Sequence, residues 1–511
     1  MPRTLTRLTV CAALLIGSAC ARDASSVMTD AQQALGGVTS VTYAGSARDV
    51  AFQQCGANAT DMQCRGPHDP MRPIADYVRA IDLSGPESRH TGTTNNIGPG
   101  GSTAVTPGTF FQGVTPQQAD VSQPWAGSLD LYLTPWGFLK GAAENGATIS
   151  QQSVDGRDMT VLSWSPSVKA PSGADYVVNG YMNDENLVER VETWLGENIM
   201  GDMHIVATYT GWRDFDGVMA PSKIVQTRGG WPFFEVDVTS ARANPSDLAT
   251  IAPSPAAGGG GGRGGGGAPG GGRGGGPGGA APQLTVTSEQ LGDGLYRLTT
   301  GPGSYDSLVV EFSDHIMMLE AGQGEARALA YVAEAKRLVP DKPIRYVMNT
   351  HPHSDHTGGL PALVAEGATI ITHANNAEFF ERALNTPRTL LDDTLARNPK
   401  PATVEGVEEM KIYSDGTRTV EMHHTWPVPH SNGLLVAYFP KERILFQGDF
   451  SLPMPGQPAN DHVQALATVL DTLKLDFDRY INVHTSAEPQ TRDEFQRAVE
   501  ARRVANGQAS N

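Results

Sequence analysis

The segment 350–359 concentrates side chains that bind metals. It reads Thr-His-Pro-His-Ser-Asp-His-Thr-Gly-Gly, with imidazoles at His351, His353 and His356 and a carboxylate at Asp355. The first two histidines are two residues apart at the end of an extended segment, so their side chains project to the same side. Asp355 and His356 turn with the loop towards a second point. The spacing therefore predicts two adjacent metal sites.

These residues resemble the His-x-His-x-Asp-His signature of the metallo-β-lactamase superfamily, and the resemblance covers residues 284–505. It implies a four-layer αββα sandwich. It also implies three further ligands, which are His430 before an apolar strand, Asp449 at the end of another, and His484 after Ile-Asn-Val. By this resemblance one metal is held by His351, His353 and His430, the other by Asp355, His356 and His484, and Asp449 bridges both.

The resemblance implies a dinuclear hydrolase in which a hydroxide held between two divalent cations attacks the substrate, with Asp355 as the catalytic residue that orients the attacking water or accepts its proton. The ligands suit zinc, and also iron or manganese. A bridging carboxylate at Asp449 favours a small ester, lactone, thioester or amide as substrate. A β-lactam-hydrolysing enzyme stays open as an alternative. A di-iron oxidoreductase is disfavoured because it would usually have an acidic residue at the His353 position.

Several residues depart from the family pattern or lie beside it. Glu320 replaces the aspartate that commonly ends an early strand, so it would have to reach a ligand through a longer side chain. Ser431 and Thr485, which follow two of the ligands, also differ from the pattern. Among the other histidines we expect surface or supporting roles for His423 and His424, and support near the site for His373, whereas no motif includes His315 and His462.

The chain after residue 284 alternates strands and helices, as a layered α/β sandwich requires. Strands are predicted at 295–298, 307–312 and 344–348, and a helix at 325–339, where apolar residues recur on one stripe. Between His356 and His430 we predict a lid that selects substrate, built from a helix at 377–384 and a loop around 399–401.

Residues 27–251 predict a mostly antiparallel β domain, so the chain as a whole is α+β. Turn signals at 154–157, 183–186 and 215–217 each separate two β-like runs. The order of these runs resembles the half barrel of lipoprotein carriers. Aromatic residues of this domain suit an ordinary sheet core or a groove for hydrophobic cargo, namely Trp212, Trp231, Phe233 and Phe234. A periplasmic binding protein for lipid or other hydrophobic cargo, with a structural metal domain, is therefore the alternative from another class.

Residues 252–283 are almost entirely glycine, proline, alanine and arginine. Such a segment cannot bury enough apolar surface to offset the entropy of ordering it, which predicts a flexible linker. The domains on either side need not share a rigid interface. We therefore expect residues 284–511 to fold and act by themselves.

The length of the chain indicates the number of domains, and its net charge indicates which class of partner it can bind. A chain of 511 residues is long enough for two to four domains. It has 38 basic and 55 acidic residues, a net charge of −17, and residues 284–511 contain 20 basic and 30 acidic residues. This excess of negative charge argues against nucleic acid as a partner and favours a small-molecule substrate.

The N-terminus predicts export. An apolar run from Leu8 to Ala19 follows Arg3 and Arg7, which is typical of a signal peptide over residues 1–20. Cys20 resembles the acceptor of a membrane-anchored lipoprotein, whereas cleavage after Ala21 would give an ordinary periplasmic protein, and both stay open. In an oxidising compartment we expect Cys55 and Cys64 to form a disulfide.

Overall fold

The computed structural model describes residues 23–50, 71–97, 105–248, 284–301, 305–484 and 488–507. The signal segment with Cys20, the pair Cys55 and Cys64, and the linker 252–283 lie outside the described residues, so these assignments stay predictions. The described part mixes helices and strands, and the predicted α+β class is confirmed. No helix in the described ranges is long and apolar enough to cross a membrane.

The N-terminal domain is built on one antiparallel sheet of eleven strands. Its order is β4-β3-β2-β1-β11-β10-β9-β8-β7-β6-β5, so β1 pairs with β11, the last strand of this domain along the chain. The strands are β1 Ser40–Asp49, β2 Arg72–Asp82, β3 Glu87–Ile97, β4 Val105–Val114, β5 Thr148–Val154, β6 Arg157–Trp164, β7 Val178–Met182, β8 Val188–Glu197, β9 Gly201–Phe215, β10 Val218–Arg228 and β11 Trp231–Ala243. The mostly antiparallel domain is therefore confirmed.

The three predicted hairpin turns are also confirmed. They join β5 to β6, β7 to β8, and β9 to β10. Each contains residues with positive φ, among them Gly156 at 78° and Gly217 at 92°. Tight hairpins need this left-handed backbone to match the twist of the strands, and glycine adopts it without a steric penalty.

In the described residues four α-helices accompany this sheet, namely α1 Ala24–Ala34, α2 Pro116–Ala119, α3 Leu129–Tyr132 and α4 Pro135–Glu144. Helix α4 starts where Thr134 accepts the backbone N–H of Gly137 and where Pro135 occupies the first turn. Its Phe138 is fully buried against the sheet. A Cβ on Gly180 of β7 would lie only 2.1 Å from the Phe138 ring, so the helix approaches the strand this closely because the residue is glycine.

The C-terminal domain has two further sheets. The first has the order β12-β13-β14-β15-β16-β17-β18, and its last four strands are parallel. The second has the order β19-β20-β21-β22-β23-β24. The strands are β12 Thr287–Gly292, β13 Leu295–Thr299, β14 Ser307–Glu311, β15 Ile316–Leu319, β16 Ile344–Met348, β17 Thr369–His373, β18 Val404–Val407, β19 Met410–Ser414, β20 Thr419–His424, β21 Leu435–Phe439, β22 Ile444–Gln447, β23 Arg479–Asn482 and β24 Gln490–Thr491.

Helices cover the outer faces of both sheets. They are α5 Glu325–Leu338, α6 Ser354–Thr357, α7 Leu360–Glu366, α8 Ala374–Leu384, α9 Thr394–Arg397, α10 Asp461–Leu473 and α11 Arg492–Ala505. One apolar cluster joins the facing sides of the two sheets, and a second joins the other sheet face to α10 and α11. The predicted αββα sandwich is confirmed, since each sheet buries both of its faces.

The two domains contact each other, whereas the sequence predicted only that they need not share a rigid interface. Trp231 of β11 packs edge-on against Phe379 of α8, with ring centroids 5.3 Å apart. Asp202 accepts backbone N–H groups from Thr389 and Leu390, both at 2.8 Å. A flexible tether permits independent domains but does not require them, and these long-range contacts leave no periodic signal in the sequence.

The close approach of α4 to the sheet gives a stability prediction. Gly180→Ala should lower the free energy of unfolding of the N-terminal domain by about 1–3 kcal/mol, because the new methyl group must displace the buried Phe138 ring. Urea unfolding followed by tryptophan fluorescence would measure it. Gly127→Ala is the matched control, since its Cβ would meet nothing closer than 3.9 Å. Equal unfolding midpoints for the two variants would contradict the packing argument.

Candidate metal centre

The predicted ligands lie at loops where several strands end. His351, His353 and the helix α6 with Asp355 and His356 follow β16, and Asp449 follows β22. His484 follows β23, which runs parallel to β22. His430 lies in the connection that leads into β21. The carboxyl ends of parallel strands share one edge of a sheet, so the sandwich brings both sheets' ligands to one end.

The first group of side chains contains His351, His353, His430 and Asp449, whose ligand atoms all lie within 4.8 Å of one another. His351 Nε2 is 2.9 Å from His353 Nδ1 and 3.1 Å from His430 Nε2. His351 is completely buried and His353 nearly so. Three imidazole nitrogens therefore converge on one point.

The second group contains Asp355, His356 and His484. His356 Nε2 is 3.2 Å from His484 Nε2, and Asp355 Oδ2 is 3.9 Å from the former and 3.7 Å from the latter. The side chain of His356 is fully buried, whereas those of His484 and Asp355 are 33% and 34% exposed. This group is the more open of the two, so a small molecule can approach it from solvent.

Asp449 connects the two groups through its two oxygens. Oδ2 faces the first group and is 3.0 Å from His430 Nε2 and 3.5 Å from His351 Nε2. Oδ1 faces the second group and is 2.6 Å from His356 Nε2 and 2.9 Å from His484 Nε2. The structure thus brings all seven predicted residues together and places the predicted bridging carboxylate between the two groups.

The charges of the site favour cations. Burial lowers the pKa of His351 well below its ordinary value and also lowers that of His353, which favours the neutral imidazole that binds metals. Burial would raise the pKa of Asp449, but the surrounding histidines hold it well below its usual range. Burial would lower the pKa of His356, but the carboxylates of Asp449 and Glu320 raise this pKa well above its ordinary value. Negative charge and imidazole lone pairs therefore meet in a confined space.

This donor set fits divalent metal ions. Imidazole nitrogens that approach to about 3 Å without a proton repel one another, and a cation between them removes that repulsion. Asp449 Oδ1 is buried and receives no hydrogen bond of acceptable geometry from the described residues, although two histidine nitrogens lie within 2.9 Å. An orphaned buried carboxylate oxygen is costly unless a cation satisfies it.

Glu320 supports His356 from behind, as its position in the sequence predicts. Its Oε2 is 3.0 Å from His356 Nδ1, and its Oε1 accepts the backbone N–H of Thr350 at 2.7 Å. Both Glu320 and His356 are completely buried. When His356 binds a cation through Nε2, the Glu320 carboxylate can accept the proton on Nδ1 and so hold the ring towards the centre. The longer side chain is accommodated by a left-handed backbone, with a φ of 67°.

No motif or spacing in the sequence indicated that Tyr305 contacts the site. Its hydroxyl donates a hydrogen bond to Asp355 Oδ2, and its ring lies 4.4 Å from that of His484. Tyr305 also forms a backbone bridge with His484, which joins the first sheet to the second. Because the contacts link residues 50 and 179 positions apart, no local spacing could have revealed them.

The other histidines of the described part of the chain lie outside the two groups. His423 pairs with Glu421, and His373 stacks on His424 with ring centroids 3.8 Å apart. The Nε2 atom of His424 lies 2.9 Å from the carbonyl oxygen of Asn432, so it supports the loop that carries His430. His462, which no motif includes, nevertheless lies beside the site, with its ring 5.4 Å from that of His430.

A family comparison agrees with this architecture. Residues 300–495 match the model of the metallo-beta-lactamase superfamily. This part of the chain belongs to that superfamily, as its ligand motif and sandwich fold indicate.

Similar individual proteins are distant. A curated relative, the 2,4-dinitroanisole O-demethylase subunit alpha of Nocardioides sp. (strain JS1661), is 23% identical over 203 residues, which are 39% of this chain and 58% of the relative. The chain thus matches little more than half the length of that protein. Among solved structures, a metallo-beta-lactamase from Pontibacter korlensis is 15% identical, with 43% of this chain and 99% of that one covered and a TM-score of 0.32. The DIM-1 metallo-beta-lactamase exposed to ceftazidime gives the same identity and TM-score, with 43% and 97% covered.

The contact between Glu320 and His356 can be tested through metal affinity. Glu320→Gln keeps the shape but removes the charge that holds the Nδ1 proton of His356, so the affinity of the site for metal should fall about 10- to 100-fold. Competition of the zinc-loaded protein with a chromophoric chelator would measure it. Glu421→Gln is the matched control, because Glu421 lies 2.9 Å from the non-ligand His423 in the same domain. Equal zinc affinities in both variants would show that Glu320 does not support the site.

Proposed function

We propose that the protein is a dinuclear metal-dependent hydrolase. The observation that carries the proposal is the division of the Asp449 carboxylate, one oxygen toward each group of ligands. Two divalent cations bound there would lower the pKa of a water molecule towards neutrality and polarise an electrophilic substrate atom. Zinc suits the ligands, and iron or manganese would also fit.

The chain's own residues would divide the remaining work. The buried histidines of the first group exclude bulk water, whereas the exposed side of the second group admits the substrate. Asp355 lies on that open side, where its carboxylate can orient the attacking water or accept its proton. The Tyr305 hydroxyl donates to Asp355 Oδ2, the oxygen that also faces His356 and His484, and so holds the carboxylate in this orientation.

The substrate that we propose is a small ester, lactone, thioester or amide. Support comes from the bridging aspartate and from the negative charge of the domain, which disfavours polyanions. A β-lactam is the alternative within the hydrolase class. The relative's name adds an aryl methyl ether, 2,4-dinitroanisole, to the compounds worth testing. A panel of these classes with the zinc-loaded chain would distinguish them.

A binding protein for hydrophobic cargo remains the alternative from another class, with the N-terminal sheet as the active part. It predicts lipid binding that survives removal of the metals, whereas a hydrolase loses its activity with them. Export, a periplasmic location or a lipid anchor at Cys20, and the disulfide between Cys55 and Cys64 are parts of the proposal that rest on sequence alone.

The dinuclear assignment predicts two metals per chain and loss of hydrolysis on chelation. Asp449→Ala removes the carboxylate that both groups share, so it should lower the metal content below two and reduce kcat/KM by orders of magnitude. Elemental analysis and the hydrolysis panel would measure both effects. His423→Ala should change neither, since His423 contacts Glu421 and not the two groups. A fully active protein with no more than one metal would refute the assignment.

A further inference from the structure

Two hairpin tips of the N-terminal sheet lie against the metal domain. The first is the turn between β8 and β9, residues 197–202, which we call the docking turn. The second is the Gly229–Gly230 turn between β10 and β11. Strands β8 to β11 are consecutive neighbours in the sheet, so both tips lie at the same end of it.

Hydrogen bonds within the docking turn fix its backbone conformation. The buried carboxylate of Glu197 accepts the backbone N–H groups of Ile199 at 2.8 Å and Met200 at 2.7 Å. Gly201 follows with a φ of 61°, and a Cβ there would lie 2.4 Å from the carbonyl oxygen of Pro387. The turn is therefore shaped to fit against the metal domain.

Asn198 of the docking turn reaches the loop of the second ligand group. Its amide Nδ2 donates to the carbonyl oxygen of Gly358 at 2.6 Å. Gly358 ends the short helix α6 that carries Asp355 and His356. One hydrogen bond from the N-terminal domain thus fixes the backbone two residues beyond a predicted metal ligand.

Asp202 binds the segment that lies between the two predicted elements of the lid, the helix at 377–384 and the loop around 399–401. It accepts the backbone N–H of Thr389 at 2.8 Å, the hydroxyl of the same residue at 2.7 Å, and the backbone N–H of Leu390 at 2.8 Å. Arg388 in turn donates to the carbonyl oxygen of Asn198 at 2.7 Å. These contacts tie residues 387–390 to the docking turn.

The second tip reaches the loop of the first ligand group through helix α8. Arg382 of α8 donates to the carbonyl oxygen of Gly229 at 2.6 Å and lies over the ring of Trp231. At the other end of α8, Asn375 donates to the carbonyl oxygen of Asn432 and Asn376 to that of Gly433. Those carbonyls follow His430 by two and three residues, so α8 transmits the position of the tip to this ligand loop.

We infer that the N-terminal domain is part of the scaffold of the metal centre, with Asn198 and Asp202 as positioning residues for the ligand loops. The inference rests on the proposed metal centre and extends it, because it assigns a role to the other half of the chain. It also replaces our expectation that residues 284–511 act by themselves. A displaced docking turn releases the Gly358 carbonyl and loosens the ligands next to it.

The test uses the full chain and zinc as the probe. Asn198→Asp removes the donor to Gly358 in a side chain of equal size, and Asp202→Ala removes three acceptor contacts. Each variant should weaken the binding of one of the two zinc ions by about threefold to tenfold. This effect is smaller than that expected for Glu320→Gln, because Glu320 contacts a ligand directly. Asp184→Ala is the matched control, since it lies in the β7–β8 turn at the opposite end of β8 and is exposed.

Two readouts separate this role from a merely structural interface. Melting of the metal-free variants reports the interface alone, whereas competition of the loaded variants with a chelator reports the ligands. Binding coupling is reciprocal, so zinc should also slow hydrogen exchange of the docking-turn amides in the unaltered protein by at least the same factor of about three. The exchange measurement needs no variant, so it tests the coupling between zinc binding and the docking turn even if a variant does not fold.

Unchanged zinc affinity in both variants, or exchange in the docking turn that zinc does not alter, would overturn the inference. Neither readout involves hydrolysis. A protein that hydrolyses no compound of the panel but shows this coupling would therefore refute the proposed function and leave the scaffold role standing.

Discussion

The site depends on one electrostatic arrangement, a carboxylate set among imidazoles at the end of a buried β sandwich. Asp449 has a histidine nitrogen within 3.0 Å of each of its oxygens. Such a group is stable only when the charges and lone pairs around it are balanced, and divalent cations provide that balance. Two residues that are not ligands orient those that are. Glu320 contacts His356 and Tyr305 contacts Asp355, so both ligands face the second group of the site.

The fold meets this constraint by gathering loop ends from two sheets and by supporting them from outside. Strands β16, β22 and β23 deliver ligands directly, because each ends just before one of them. The loop of His430 depends instead on contacts to its backbone from α8 and His424. The N-terminal sheet then lies against α8 and the turn after His356. The metal centre is thus the meeting point of three sheets, although its ligands come from two.

The sequence predicts those features that depend on residues close together along the chain, and it does not predict those that depend on distant residues. The ligand spacing from His351 to His356 is local, and the hairpin turns and the helix at 325–338 also follow from local patterns, so these predictions hold in the structure. The position of Glu320 was accessible through the family pattern. Tyr305, His462 and the docking turn were not, because each acts on a residue far along the chain and carries no periodic or motif signal. The contacts between the two domains were not predictable either, because the composition of the glycine-rich segment describes the tether and not the surfaces that it joins.

Anomalous diffraction from a zinc-loaded crystal, measured above and below the zinc absorption edge, would show whether two cations share the Asp449 carboxylate. We predict two peaks, one among His351, His353 and His430 and the other among Asp355, His356 and His484, each next to a different oxygen of Asp449. A single peak, or two peaks of which one does not contact Asp449, would contradict it.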